Sequence, residues 1–144
     1  MAVDFLFNDG GRQEQGFGPS SGWDCVTRSI AIVTGQPYKE VYSRLEYLCQ
    51  FERVKNEQQS HPETGVRVNI ATAYLEPLGY KFTPIKQPLH LDDLNNTPEK
   101  AIVYLEGHFT ALIGSTVHDT VHPEAWKRDR KIKGYYYKES EVKK

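Results

Sequence analysis

Cysteine is scarce in this chain of 144 residues, which carries only Cys25 and Cys49. Two thiols are too few for a disulfide framework, and they point to a reducing cytosol, so the expected location is cytoplasmic. An excess of charge of either sign is also lacking. Eighteen Lys and Arg stand against 19 Asp and Glu, for a net charge of −1. That balance gives no electrostatic reason to bind nucleic acid or an anionic membrane. No apolar run approaches the length of a membrane span, and no basic-then-apolar leader opens "MAVDFLFNDGG", which meets Asp4 and then glycines. Internal repeats and low-complexity stretches are missing too.

What is present suffices for one core. An apolar fraction of 38% with 12% aromatics supports a single domain over residues 1–144, with residues 138–144 as a frayed tail. "VDFLF" reads as a first strand, ended by the turn-forming Asn8-Asp9-Gly10-Gly11. After a loop rich in glycine and serine, Asp24 suits a helix N-cap, and Val26, Ile30 and Val33 share one helical face up to Gly35. Pro37 opens a second helix with an apolar stripe of Tyr38, Val41, Tyr42, Leu45, Leu48 and Cys49. Residues 55–65 read as a polar surface loop. A third helix follows, with Val66, Ile70, Ala73 and Tyr74 inward, closing near Pro77 and Gly79. Five strands are then expected, at "YKFTPI", "AIVYL", "HFTALI", "TVHDTV" and "KGYYY". Helices first and antiparallel strands afterward predict an α+β fold.

Cys25 sits at the start of the first helix rather than deeper on its apolar stripe. There the unpaired backbone N–H groups and the helix dipole stabilise a thiolate, and the same N–H groups suit a developing oxyanion. The hairpin "HFTALIGSTVHDT" supplies the rest. A two-residue Gly114-Ser115 loop pairs Ile113 with Thr116 and Thr110 with Asp119, which makes His108 and Asp119 diagonal neighbours on one face. A carboxylate beside one imidazole nitrogen fixes the tautomer and leaves the other nitrogen to exchange a proton. His118 falls on the opposite face. Cys49 continues an apolar stripe and is assigned to the core.

The order of Cys25 opening a helix, then His108 and Asp119 on successive strands, resembles the papain-like cysteine peptidase superfamily. More narrowly, "NDGGR", "DCVTRSIAIVTGQPYKEVY" and "HFTALIGSTVHDT" look like segments of a group of small phage and bacterial proteins assigned to that fold. The resemblance implies N-terminal helices packed on a C-terminal antiparallel sheet, with Cys25 as nucleophile, His108 as base and Asp119 as the residue that orients it. It also implies a peptide or protein substrate, an amide or isopeptide bond cleaved through an acyl-enzyme, and no cofactor or metal. Transfer to an acceptor amine is chemically adjacent. Such enzymes place an oxyanion-hole Gln about six residues before the cysteine. Pro19 holds that place here, so Gln15 is the candidate donor, with Gln13 and Asn8 as alternatives.

Other features have plainer readings. His118 and His122 have the spacing of a helical zinc pair, but their Val and Thr neighbours argue for strand. The basic run at 126–133 reads as a solvated loop, Trp23 and Trp126 as buried packing residues, and "NDGGR" as a structural turn. The rival to an enzyme is a non-catalytic binding protein of the same fold that acts on a host protein or nucleic-acid partner. The oligomeric state is not encoded in any of these patterns.

Overall fold

In the computed structural model, which describes residues 4–20, 22–55, 57–94, 99–125 and 130–138, three helices lie against one six-stranded mixed sheet. The strands are β1 (Asp4–Phe7), β2 (Tyr80–Pro84), β3 (Lys100–Leu105), β4 (His108–Ile113), β5 (Thr116–Asp119) and β6 (Ile132–Lys138), in the order β1-β5-β4-β3-β6-β2. The helices are α1 (Cys25–Thr34), α2 (Tyr38–Cys49) and α3 (Val68–Leu75). The α+β class holds, but the sheet is not purely antiparallel. β1 pairs in parallel with β5, Phe5 opposite Val117 and Phe7 opposite Asp119. The long excursion through the helices allows this, since a parallel neighbour needs a crossover rather than a hairpin.

α1 is buried on nearly every side. Val26, Ile30 and Val33 are inside as expected, and so are Thr27, Arg28, Ser29 and Ala31. Gly35 ends the helix in the left-handed conformation (φ 76°), with its N–H bonded to the Ala31 carbonyl. Tyr38, Val41, Leu45 and Cys49 of α2 are buried, with Tyr42 and Leu48 half-buried beside them. α3 departs from expectation. Val66 precedes the helix and Ala73 is exposed, so its inward face is Ile70, Ala71, Tyr74 and Leu75.

Both faces of the sheet are covered. Ile102, Phe109, Ala111 and Tyr136 join the helices in one cluster. Ala101, Val103, Leu105, Leu112, Val117 and Ile132 form a second with Leu91, against which Ile85 and Leu94 pack. The segment between β2 and β3 thus closes the face opposite the helices. Among the described residues no helix is long and apolar enough to cross a membrane.

Strand ends differ from expectation for local reasons. β5 stops at Asp119 because that carboxylate accepts the N–H groups of Thr120 (2.7 Å) and Val121 (3.4 Å), turning the chain. β6 runs through Lys138, which pairs with Tyr80, so the residue expected to begin the frayed tail is in the sheet. Residues 139–144, Val3 of the first strand, and residues 126–129 with Trp126 lie outside the described residues.

Gly134 in β6 is required by contact rather than by a turn. A Cβ there would lie 2.3 Å from Phe82 Cζ and 2.6 Å from the Thr83 carbonyl oxygen. The ring can move, but the backbone oxygen of a paired strand cannot move without breaking register. Gly134→Ala is therefore expected to destabilise the fold by about 1–3 kcal/mol. A thermal melt checks this; an unchanged midpoint would show that β2 yields easily.

Candidate active site

The first residue of α1 meets the first residue of β4. Cys25 is half-buried beside His108, and the His108 side chain and the backbone N–H of Phe109 both act on its thiol. His108 Nε2 lies 2.8 Å from Asp119 Oδ2, and both Asp119 and Cys25 act on the ring. The hairpin register is the expected one: Ile113 pairs with Thr116, Leu112 with Val117 and Ala111 with His118. Thr110 Oγ1 donates to the same Oδ2 at 2.7 Å, so strand neighbours two apart converge on one carboxylate oxygen. His118 faces away, 3.1 Å from the Asn8 side-chain amide, and the His122 ring lies tilted against Phe5.

Behind this group lies a chain of buried charges that sequence reasoning missed. Arg28 Nη1 donates to Asp119 Oδ1 and Arg28 Nε to Asp24 Oδ1, both at 2.9 Å. Asp24 was expected to cap α1 with its side chain, and it does not. Its carboxylate instead accepts Ser20 Oγ, Arg28 Nε and Tyr38 Oη. Arg12 Nη1 lies 3.6 Å from Asp24 Oδ2 and donates to Tyr38 Oη at 2.8 Å. The "NDGGR" turn holds that arginine in place. Asn8 Oδ1 and Asp9 Oδ1 accept the N–H groups of Gly10 and Gly11. Gly10 (φ 73°) lies so close to α1 that a Cβ would sit 3.2 Å from the Arg28 carbonyl. The available signal was Arg28 itself, a charge inside the apolar run "VTRSIAIV", four residues after Asp24.

These contacts set the protonation states. Burial pushes the Cys25 thiol up, but the hydrogen bond and charge of His108, the Phe109 N–H and the charge of Arg28 outweigh it and bring the thiol below its ordinary value. Burial lowers His108, yet Asp119 and Cys25 carry it up to about 9. For Asp119 burial acts upward and is overcome by His108, Arg28 and Thr110, leaving it at about 2. The directions favour the thiolate–imidazolium form of the pair over the neutral one, backed by an ionised carboxylate. Cys49 is the opposite case, buried and raised to about 11.

The thiol opens on a cleft of about 680 Å³, whose walls include Trp23, Val66, Arg67, Tyr104, Gly107 and Arg130. Trp23 is 67% exposed, so it walls the cleft rather than packing inside. Gln15 is not brought to the site. Its side-chain oxygen accepts the Lys39 N–H on the exposed surface, and it is absent from the described cleft lining. The backbone N–H of Cys25, as the first helical residue, stands outside the intrahelical ladder and beside the sulfur. The arrangement can present a nucleophilic thiolate, a proton donor and an oriented ring to a carbonyl group in the cleft. No protein-family model, curated protein or solved structure matches this chain.

Two outcomes follow from the electrostatics. Iodoacetamide near pH 6 should alkylate Cys25 and spare Cys49, and His108→Ala should slow the reaction at Cys25. Equal, slow labelling of both cysteines would contradict the thiolate. Asp119, lowered from 3.8 to about 2 on folding, contributes stability that is complete above about pH 4 and is lost as pH falls toward 2. The melting temperature should drop across that window, with a shallower acid limb in Asp119→Asn; parallel limbs would refute the assignment.

Proposed function

We propose that the protein is a cysteine hydrolase of papain-like arrangement, cleaving an amide or isopeptide bond in a peptide or protein. The observation that carries this reading is Cys25 beside an imidazole whose Nε2 is held at 2.8 Å by a buried carboxylate, both at the wall of one open cleft. Cys25 is the nucleophile, His108 the acid and base, and Asp119 the residue that orients the ring.

The thiolate attacks the carbonyl carbon, and the oxyanion forms toward the Cys25 N–H at the helix start. His108 gives its proton to the leaving nitrogen, the C–N bond breaks, and an acyl-thioester remains on Cys25. Water then gives a proton to His108 and its oxygen attacks the thioester carbon. Collapse releases the carboxylic acid and restores the thiolate. An acceptor amine in place of water turns the same steps into transfer. Asp119 keeps its charge throughout, because it holds the imidazolium rather than taking the proton.

A second reading is favoured by one observation, the placement of Gln15 away from the cleft. It is a binding protein that keeps the fold and uses the cleft without chemistry. Incubation with a panel of activated peptide esters, followed by intact-mass analysis, separates the two. The enzyme predicts an acyl adduct on Cys25 that is absent from Cys25→Ala. Its rate of formation should fall from wild type to Asp119→Asn to Asp119→Ala, the last by about a hundredfold or more. No adduct with any ester, together with full biological effect from Cys25→Ala, would establish the binder.

A further inference from the structure

Arg28 is not needed for the reaction as written, yet its placement is specific. It lies three residues after Cys25 on α1, its side chain is 2% exposed, and its two 2.9 Å bonds go to carboxylates on different elements. Asp24 immediately precedes the nucleophile, and Asp119 ends β5 and holds the ring of His108. We propose that Arg28 is a positioning residue for the thiol–imidazole pair: by clamping Asp119 to Asp24 it sets the approach of His108 to Cys25 and adds positive potential at the sulfur. This rests on the hydrolase reading for its purpose, but its physical content concerns the thiol alone.

Three observations support it. Asp119 divides its two oxygens: Oδ1 takes Arg28 with the Thr120 N–H, and Oδ2 takes His108 with Thr110. A carboxylate held on both oxygens cannot rotate freely, so Arg28, with the Thr120 N–H and Thr110, fixes the direction of Oδ2 toward the imidazole. Arg28 also belongs to the nucleophile's own helix, so the clamp ties the backbone under Cys25 to the strand under Asp119. Finally, the charge of Arg28 acts directly on the sulfur and favours the thiolate. The charged and titratable groups here are the buried Arg12, Asp24, Arg28 and Asp119, the half-buried His108 and Cys25, and Glu63 on Arg12, with Tyr38 neutral and hydrogen-bonded to Asp24.

The test measures the pH profile of Cys25 alkylation by iodoacetamide in wild type, Arg28→Gln and Arg28→Lys, each checked for folding by its thermal melt. Arg28→Gln removes the charge and keeps a polar group; its profile should move to higher pH, slowing the reaction at pH 6 by about tenfold. Arg28→Lys keeps the charge but can reach one carboxylate at a time. Its profile should stay near that of wild type on the pH axis while the plateau rate falls. A merely structural arginine would lower the melting temperature and leave both profiles in place. An Arg28→Gln profile superimposed on wild type, or an Arg28→Lys plateau equal to wild type, would overturn the proposal. If Arg28→Gln fails to fold, the plateau of Arg28→Lys decides alone. Alkylation needs no turnover, so a protein that hydrolyses nothing still gives an answer here, and the hydrolase reading stands or falls separately on the acyl adduct.

Discussion

The site depends on a buried guanidinium shared by two buried carboxylates. Moving a single ion from water into a protein interior costs several kcal/mol, and attraction offsets that only where geometry is close and the remaining donors and acceptors are used. Here they are. Asp24 takes bonds from Ser20, Arg28 and Tyr38, and Asp119 from Arg28, Thr110, His108 and the Thr120 N–H. Each charge is tolerable because the others are there. Shifting α1 relative to β5 by even an ångström would leave an uncompensated charge in a dry environment, so the helix that carries Cys25 has one acceptable position.

That constraint explains the shape of the N-terminal segment. A helix buried on all sides needs neighbours on all sides, and the 8–18 loop supplies one through Gly10, pressed against the Arg28 backbone. The same loop delivers Arg12, whose remaining donors go to the carbonyls of Phe17 and Gly18 and to Glu63. β1, just before the loop, is fixed beside β5, and the Asn8 N–H bonds the Asp119 carbonyl. Strand, turn and loop therefore converge on the two ends of the ionic chain.

How much of this was legible in the sequence depended on range. The hairpin was readable because a two-residue loop fixes register and alternation then fixes faces; His108 meeting Asp119 follows from counting. The position of Cys25 was readable because helix starts carry local signals. The parallel pairing of β1 was not, since nothing within a four-residue strand names a partner more than a hundred residues away. Nor was the role of Asp24. Its residue type suits a cap, but an arginine four residues on and a tyrosine from the next helix compete for the same oxygens and win. Order along the chain points to Gln15, while the loop's path, set by Arg12 and the glycines, carries it to the surface. Ala73 and Trp23 were misplaced because small and aromatic residues satisfy either environment, and only the tertiary surroundings decide.

Two demands on the site conflict. A thiolate gains from a helix N-terminus, yet the residue before Cys25 is an aspartate, whose charge beside a second anion would raise the thiol and oppose that gain. The structure resolves the conflict by committing the Asp24 charge elsewhere: its carboxylate is turned into the protein toward Arg28, Tyr38 and Ser20, with Arg12 close behind. Arginine is suited to this because it stays charged on burial and its planar fork serves two acceptors in fixed directions. Lysine would serve one. Arg12, Arg28 and His108 stand against Asp24, Asp119, Glu63 and the Cys25 thiol, and the cationic groups that act on the sulfur are His108 and Arg28. The charge at Cys25 is therefore supported by a network whose far end, at Arg12 and Tyr38, never reaches the cleft.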